Sequence, residues 1–557
     1  MMDFLKDIED YLIWAGAPEE SVRGEVVWSQ DPKNGDCAFP CFKLSKSMRK
    51  SPMIIASELS SKGNLPLFVA RTECVSGYLN FFFDRELVAK EVLLCCKERG
   101  ETYEAKQSKG KTICIDYSSV NIAKPFHIGH LLTTVIGGSL YRIYKYLGYN
   151  VVGINHLGDW GTQFGKLIVA YLKWGKGEQT MDSLLDLYVK FHREAETNDS
   201  LNDEARMWFK KIEDGDKQAT ELFAEFKRIT LEEVDKVYKR LGITFDSYNG
   251  EAFYNDKMQP IIDALKQKNL LVESDGAMVV NLDEYGMPPC LILKSDGATL
   301  YATRDLAAAV YRKNTYDFYK NLYVVAYQQN LHFKQLFKVL ELLGYDWAKD
   351  CVHVPFGMVS LEGVGAMSTR EGKVVKLKDV LSEAVDKTKA IISQKNPELE
   401  NKDETAEAIG VGAVVFGALI NGRIKDVVFS VDKALNFDGE TGPYLQYTHA
   451  RCCSILSKGE AGEADYSTLT DDETFELVRL LSRFDQTVTT AAERYEPSII
   501  SRYLIDLAQA FNKFYIGHRV ICDDEKLQSS RLAITKAVRD ALRNGMSLIL
   551  LKAPEKM

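Results

Sequence analysis

The chain has no long apolar run. None of its 557 residues falls in a stretch of the ~18 apolar residues that a membrane-spanning helix needs. It has no cationic excess either. Lys and Arg number 70 against 79 Asp and Glu, a net charge of −9, so it does not coat nucleic acid by bulk charge. A local basic face stays compatible with that balance. Its 11 cysteines are odd in number and follow no framework spacing, which argues against a secreted disulfide scaffold. Cys37 and Cys41 are four apart, and Cys95/Cys96 and Cys452/Cys453 are adjacent. No second Cys pair or His-x-x-x-His completes a zinc set, and reduced structural thiols are the expectation. The opening residues Met1–Asp7 read as neither a signal nor a transit peptide. There is no internal repeat and no low-complexity tract. A cytoplasmic, soluble protein is expected.

The composition is that of a globular protein, 46% hydrophobic and 27% charged. At ~150 residues per domain the length predicts three to four domains. A strand is predicted at Gly77–Phe83 within an N-terminal α/β unit, and a polar linker over Gly100–Gly110. Thr112–Ile115 then reads as a buried strand. Leu131, Leu132, Val135, Ile136, Leu140, Ile143 and Leu147 recur at helical spacing before Gly148, and Val151–Ile154 is the next strand. Strand, helix, strand implies a parallel pair in a doubly wound sheet. Residues 175–250, rich in Glu, Lys and Leu, read as a helical insertion. Leu322–Tyr327 resumes the sheet, and from about Gly442 onward the periodicity is helical, predicting a bundle.

The segment Asp116–His130 lies at the carboxyl end of the first buried strand, where open α/β sheets bind ligands. His127, His130 and Lys124 beside a helix N-terminus offer donors and a positive dipole end to phosphate, and Gly129 permits close backbone approach. His-x-Gly-His alone is a weak pattern, equally read as surface or core histidines.

In context the segment resembles the HIGH signature of class I aminoacyl-tRNA synthetases. Asn155–Gly165 (NHLGDWGTQFG), Tyr301–Asp305 (YATRD), Gln328–His332 (QQNLH), Met367–Gly372 (MSTREG) and Asp540–Arg543 (DALR) make the chain similar to the arginyl family in particular, over essentially its whole length. The resemblance implies a Rossmann-type catalytic domain with helical insertions at 106–440, an N-terminal additional α/β domain at 1–105 and a C-terminal all-α anticodon-binding domain at 441–557. It implies ligation of L-arginine to its cognate tRNA through an arginyl-adenylate, with ATP as substrate and Mg2+ on the phosphates, by a monomer. Two rivals are a nucleotidyltransferase without a tRNA substrate and a silent tRNA-binding homologue. The long helical C-terminal region argues against the first, and the intact site residues against the second.

Adenylation asks the protein mainly to position reactants and stabilise phosphate charge. His127 and His130 fit as phosphate donors. A carboxylate is needed for the planar guanidinium. Asp305 supplies it if Leu300–Ala309 is helical, with Tyr301 on the same face and Gln329 completing the pocket. The alternative is an exposed helix face with Arg304 paired to a carboxylate. Ser119 and Asn121 suit the amino and carboxylate ends of the amino acid. The second class signature departs from its usual form, with Ala366–Arg370 (AMSTR) lacking both lysines. Arg370, Lys373 or Lys124 are candidate replacements, and Met367, Ser368 and Thr369 candidate ATP contacts.

For tRNA, residues 519–557 carry a net charge of +3. The family places a tyrosine and the terminal methionine, here Tyr515 and Met557, around the middle anticodon base. Phe514 beside Tyr515 reads equally as core. Lys43, Lys46, Arg49 and Lys50 recur at helical spacing as a solvated or RNA-touching face. The family's N-terminal domain grips the tRNA elbow, so the resemblance makes Asn80 and Phe83 candidates for that contact.

Overall fold

The computed structural model describes residues 3–29, 31–295, 299, 301–363, 375–460 and 462–557. Its central feature is a four-stranded, all-parallel sheet in the order Cys351–Phe356, Phe318–Ala326, Thr112–Asp116, Asn150–Ile154. The strands are apolar because both faces are covered. The helix Leu131–Tyr146 connects the Thr112 strand to its outer neighbour, and Asn330–Leu342 connects the Phe318 strand to the opposite edge. Strand order therefore reverses between Thr112–Asp116 and Phe318–Ala326. A crevice opens at the carboxyl ends there, the usual ligand position in such sheets. The segments 117–130 and 327–332 both leave the sheet at this point.

The insertion is helical, as expected: Met181–Ala195, Ser200–Glu213 and Lys217–Leu241. It packs on Thr162–Trp174 through an unusually close approach. A Cβ on Gly165 would sit 1.9 Å from the Ala205 carbonyl oxygen. The last glycine of the 155–165 segment is thus a packing residue. A three-stranded antiparallel sheet, Leu271–Ser274, Ala277–Val280 and Cys290–Leu293, was not anticipated. Its first hairpin turns on Asp275 and Gly276, with φ of 49° and 77°. An Asp-Gly pair favours that two-residue turn.

The N-terminal unit is an antiparallel sheet, Val27–Trp28, Cys37–Pro40, Tyr78–Phe83 and Val69–Val75 in that order, flanked by helices. The C-terminal bundle comprises Gly442–Leu456, Asp472–Ser482, Phe484–Glu493, Ser498–Gly517 and Glu525–Leu548. Leu477, Leu480, Leu504, Leu507, Phe511, Ile534, Val538 and Leu542 are all buried between these helices. All 11 cysteines are free thiols. Residues 100–110 carry no helix or strand, as a linker should, yet they are bonded on both sides. Tyr103 N donates to Asn544 Oδ1 (2.9 Å), Lys106 N to Tyr146 O (2.8 Å) and Lys109 N to Gly148 O (2.8 Å).

Gly165→Ala should force the two helices apart and cost about 1–3 kcal/mol, as overpacking does. Denaturant unfolding should show a lower midpoint with an unchanged slope. An unchanged midpoint would refute the packing role.

Candidate active site at the sheet switch point

The first turn after the Thr112 strand is pinned by hydroxyls. Ser118 N donates to Thr133 Oγ1 (3.0 Å), which donates to Val324 O on the neighbouring strand (2.8 Å). Ser118 Oγ and Asn155 Nδ2 both meet the Tyr238 hydroxyl, at 2.7 and 3.0 Å, tying the loop to the insertion. Ser119 Oγ donates to Asp116 Oδ1 (2.8 Å). Asn121 bridges to Gly158.

His127 and His130 sit at the start of the long helix, where backbone N–H groups lack intrahelical partners. Gly129 N donates to His127 Nδ1 (3.1 Å), and His127 N donates to His130 Nδ1 (3.3 Å). Both Nδ1 atoms are acceptors, so a neutral ring carries its proton on Nε2. The rings lie 4.1 Å apart. Burial, then the neighbouring His127, pushes His130 down to about 3. Burial and the charge of Lys124 lower His127 as well. The pair is therefore two neutral N–H donors at neutral pH, suited to phosphate oxygens.

Tyr301 and Asp305 stand four residues apart on the helix Tyr301–Tyr316. Tyr301 is 67% exposed at its first position. Asp305 Oδ2 is 2.7 Å from His332 Nε2, and Oδ1 is 3.9 Å from His156 Nε2. Burial opposes its ionisation, but the His332 hydrogen bond, with His156 and Arg312 nearby, holds it below the usual carboxylate range. Asp305 is thus an anion surrounded by donors. Arg304 does pair with a carboxylate, Glu251 (3.5 Å), but both are turned inward. Burial pushes Glu251 up to about 7 against the pull of Arg304. The Arg304 pairing of the alternative reading is present, but on a buried face and not an exposed one. Gln329 lies exposed in the turn Tyr327–Gln329 that leaves the central strand.

Sequence reasoning missed the group beneath the site. Arg312, 1% exposed, donates from Nη2 to Asp116 Oδ2 (2.7 Å) and lies 3.4 Å from His156 Nδ1. It also missed Glu251. His156 and His332 stood inside quoted segments, but with no role. Ala366–Arg370 and Lys373 lie outside the described residues. Immediately after them, Val375 O accepts from Ile128 N (3.0 Å), and Leu377 N donates to Phe126 O (2.9 Å).

The tRNA candidates separate. Phe83 is a correction. Its ring lies in an aromatic cluster with Phe68 (5.1 Å), Trp28 (5.7 Å) and Phe4 (5.9 Å), with no face for a partner. Asn80, also buried, shares the other strand face with the exposed Tyr78. The cationic face is interrupted. The helix is only Leu44–Met48, Arg49 has φ 52°, and Lys43 and Lys50 pair with Glu25 (2.5 Å) and Glu58 (2.7 Å). Phe514 is core, while Tyr515 is 40% exposed. Tyr515 and Met557 both line a cleft of about 1170 Å³ in the C-terminal region.

Family models match in the same order along the chain. Residues 92–431 match the catalytic domain of class I tRNA synthetases of the arginine type, 445–557 the DALR anticodon-binding domain, and 3–83 the arginyl-tRNA synthetase N-terminal domain. The switch-point crevice with its histidine pair is accordingly that of a class I tRNA synthetase. An arginine–tRNA ligase of Alkaliphilus metalliredigens is 54% identical over 94% of both chains, and one of Halothermothrix orenii 52% identical over 97% of this chain and 96% of its own. The arginyl-tRNA synthetase structure of Thermus thermophilus superposes with a TM-score of 0.86 at 27% identity, covering 100% of this chain and 99% of that one. The chain belongs to the arginyl-tRNA synthetase family, ATP-using enzymes that charge arginine tRNA with arginine.

Because His130 stays neutral when folded, the unfolded chain binds the extra proton between about pH 6.5 and about 3. Its contribution to stability should therefore be complete above pH 6.5 and fall as pH drops through that window. With 15N-labelled histidine, eight residues in all, the His130 ring should report an Nε2–H tautomer with no titration from pH 8 to 5. A midpoint near 6.5 would remove the neutral-donor assignment.

Proposed function

We propose that the switch-point crevice activates L-arginine with ATP and passes the arginyl group to its cognate tRNA. The single observation that carries the residue roles is the anionic Asp305, fixed by His332 and His156 on a helix rooted beneath that crevice. A guanidinium is the planar cation that such a carboxylate selects. Tyr301 and Gln329 border it from the helix start and the strand end. Ser119 and Asn121 take the amino and carboxylate ends, placing the carboxylate to attack the α-phosphate while pyrophosphate departs. His127 and His130 donate to phosphate oxygens, the Gly129 segment supplies the close backbone, and Lys124 adds positive charge. Met367, Ser368, Thr369 and Arg370 complete the ATP contacts.

Among the described residues no group of three or more His, Cys, Asp or Glu could hold a metal ion. The donors present suit phosphate, so Mg2+ would enter with ATP and spread the charge on the leaving pyrophosphate. The tRNA is held by three units, 1–105, 106–440 and 441–557. The N-terminal unit takes the elbow on the strand face that Asn80 shares with the exposed Tyr78, and Tyr515 and Met557 take the anticodon. The enzyme works as a cytoplasmic monomer. Among the described residues no helix is long and apolar enough to cross a membrane.

Asp305→Asn keeps the shape and loses the charge. A charged hydrogen bond is worth ~1.5–3 kcal/mol, so the arginine KM in ATP–pyrophosphate exchange should rise roughly ten- to a hundredfold. The ATP KM should stay nearly unchanged, and a shift confined to ATP would move Asp305 out of the arginine pocket. Exchange with arginine and ATP alone should be negligible and become robust on adding tRNA, as for a site completed by substrate docking. Equal rates with and without tRNA would overturn that dependence.

A further inference from the structure

Beyond the helix Glu525–Leu548 the chain continues as an extended tail to Met557. An extended segment on a surface has no hydrogen-bond ladder of its own, so its position depends on what grips it. Apolar packing does part of this, with Leu551 and Ala553 on the main core and Met557 on Ile392, Leu399, Ala406 and Ile409, and four side chains hydrogen-bond the tail. Gln446 Nε2 donates to Lys552 O (2.9 Å), His449 Nδ1 to Pro554 O (2.9 Å), Arg543 Nη2 to Glu555 Oε1 (2.9 Å) and Asn396 Nδ2 to Met557 O (3.1 Å).

Gln446 and His449 stand apart from the other two because both are fully buried. Each is also fixed from a second side. Gln446 Nε2 donates to Ala408 O as well (2.9 Å), and Arg543 Nε approaches His449 Nε2 at 3.4 Å. That arrangement makes His449 a neutral ring with its proton on Nδ1, aimed at the tail. Burial pushes its pKa down to about 4, in keeping with that state.

Both residues sit on the helix Gly442–Leu456, which also builds the wall of the cleft. Tyr447, 43% exposed, and Arg451 line the cleft one turn apart. The Arg451 guanidinium lies 4.8 Å from the Tyr447 ring centre and 5.3 Å from that of Tyr515. Tyr515 is itself stacked on Phe511. This helix therefore carries Tyr447 and Arg451, the latter against Tyr515 of the neighbouring helix Ser498–Gly517, and also holds the tail bearing Met557.

We propose that His449 and Gln446 are positioning residues that set the gap between Met557 and the Tyr515 wall, and through it the selectivity for the unpaired anticodon base. The inference rests on the reading of Tyr515 and Met557 as the base-binding pair. A base sandwiched between two faces loses contact on one side when the gap widens by even an ångström. Tail position should thus appear in discrimination between bases as well as in affinity.

The test compares aminoacylation of arginine tRNA with that of a transcript substituted at the middle anticodon base. In His449→Ala the preference for the cognate transcript should fall about tenfold, the loss of one buried hydrogen bond expressed as a ratio. His449→Asn, which keeps a donor near the Nδ1 position, should recover most of it. In a Met557→Ala background, His449→Ala should change the preference no further. Carboxypeptidase should release Met557 faster from His449→Ala than from the parent chain. Gln446→Met provides a second variant of similar volume should the alanine protein fail to fold, and the same losses are expected of it.

An unchanged preference, an unchanged rate of Met557 release, or an equal effect in the Met557→Ala background would each overturn the positioning role. Tyr515→Ala separates the two levels. If it leaves the preference intact, the base-reading assignment fails and the selectivity role with it. If it abolishes the preference while His449→Ala is silent, only the positioning role fails.

Discussion

The buried pair of Asp116 and Arg312 fixes the geometry on which the candidate site depends. Arg312 is 1% exposed and Asp116 5%, with 2.7 Å between charged atoms. Such a pair adds little net stability, because desolvation offsets attraction, but losing one partner strands a buried charge at about 3–5 kcal/mol. Its contribution here is alignment. Asp116 ends the strand Thr112–Asp116, and its other oxygen holds Ser119. Arg312 lies seven residues, two turns, after Asp305 on the same helix face. Anchoring one end of that helix to the strand sets where the Asp305 carboxylate stands. His156, against Arg312 on one side and facing Asp305 on the other, ties in the neighbouring strand.

The histidine pair solves a different problem. A helix N-terminus attracts anions through unpaired N–H groups and its dipole. Here the two Nδ1 atoms take up two of those N–H groups and are thereby fixed as acceptors. The helix end is capped, and the donor capacity moves outward to two Nε2–H groups. Neutrality matters for such donors. A charged imidazolium would bind the ground-state triphosphate strongly, whereas a neutral donor gains most as charge builds on the reacting phosphate. The backbone bonds from Phe126 and Ile128 to Leu377 and Val375 join this turn to the chain that follows the second signature.

What was legible in the sequence follows the range of the interactions. Helical periodicity and the strand-loop-helix around 112–147 are local patterns, and the structure has them. The Asp275-Gly276 hairpin was equally local and was passed over, although an Asp-Gly pair between apolar runs is a direct turn signal. Asp116 and Arg312 are 196 positions apart, and Asp305 and His332 are 27. Nothing in the spacing of either pair announces a contact. Phe83 was misplaced for a simpler reason. Tyr78–Phe83 is apolar or aromatic at nearly every position, so alternation could not tell the core face from the outer one. The basic run at 43–50 is solvated, as read, but its pairing with Glu25 and Glu58 could not be seen because both partners lie outside the run.

The segment 100–110 shows how far a linker's composition can mislead about its mechanics. Its polar residues forbid burial as a core element, but their backbone groups still need partners. Tyr103 finds one in the bundle, and Lys106 and Lys109 find theirs beside the helix Leu131–Tyr146. Arg99, at its start, pairs with Asp485, which also accepts from the Tyr146 hydroxyl (2.9 Å). Arg85 spans Asp36 of the N-terminal sheet and Asp472 of the bundle at 3.3 and 2.8 Å. The N-terminal unit is thus bonded to the bundle at several points along a short stretch, rather than hung from a flexible tether. A ligand engaging both units then pays the orienting entropy once, because the second contact is already in place when the first forms. Under the proposed elbow and anticodon contacts, a fixed separation between the two protein surfaces would itself be a means of recognition: a tRNA of the wrong shape would satisfy one surface and miss the other.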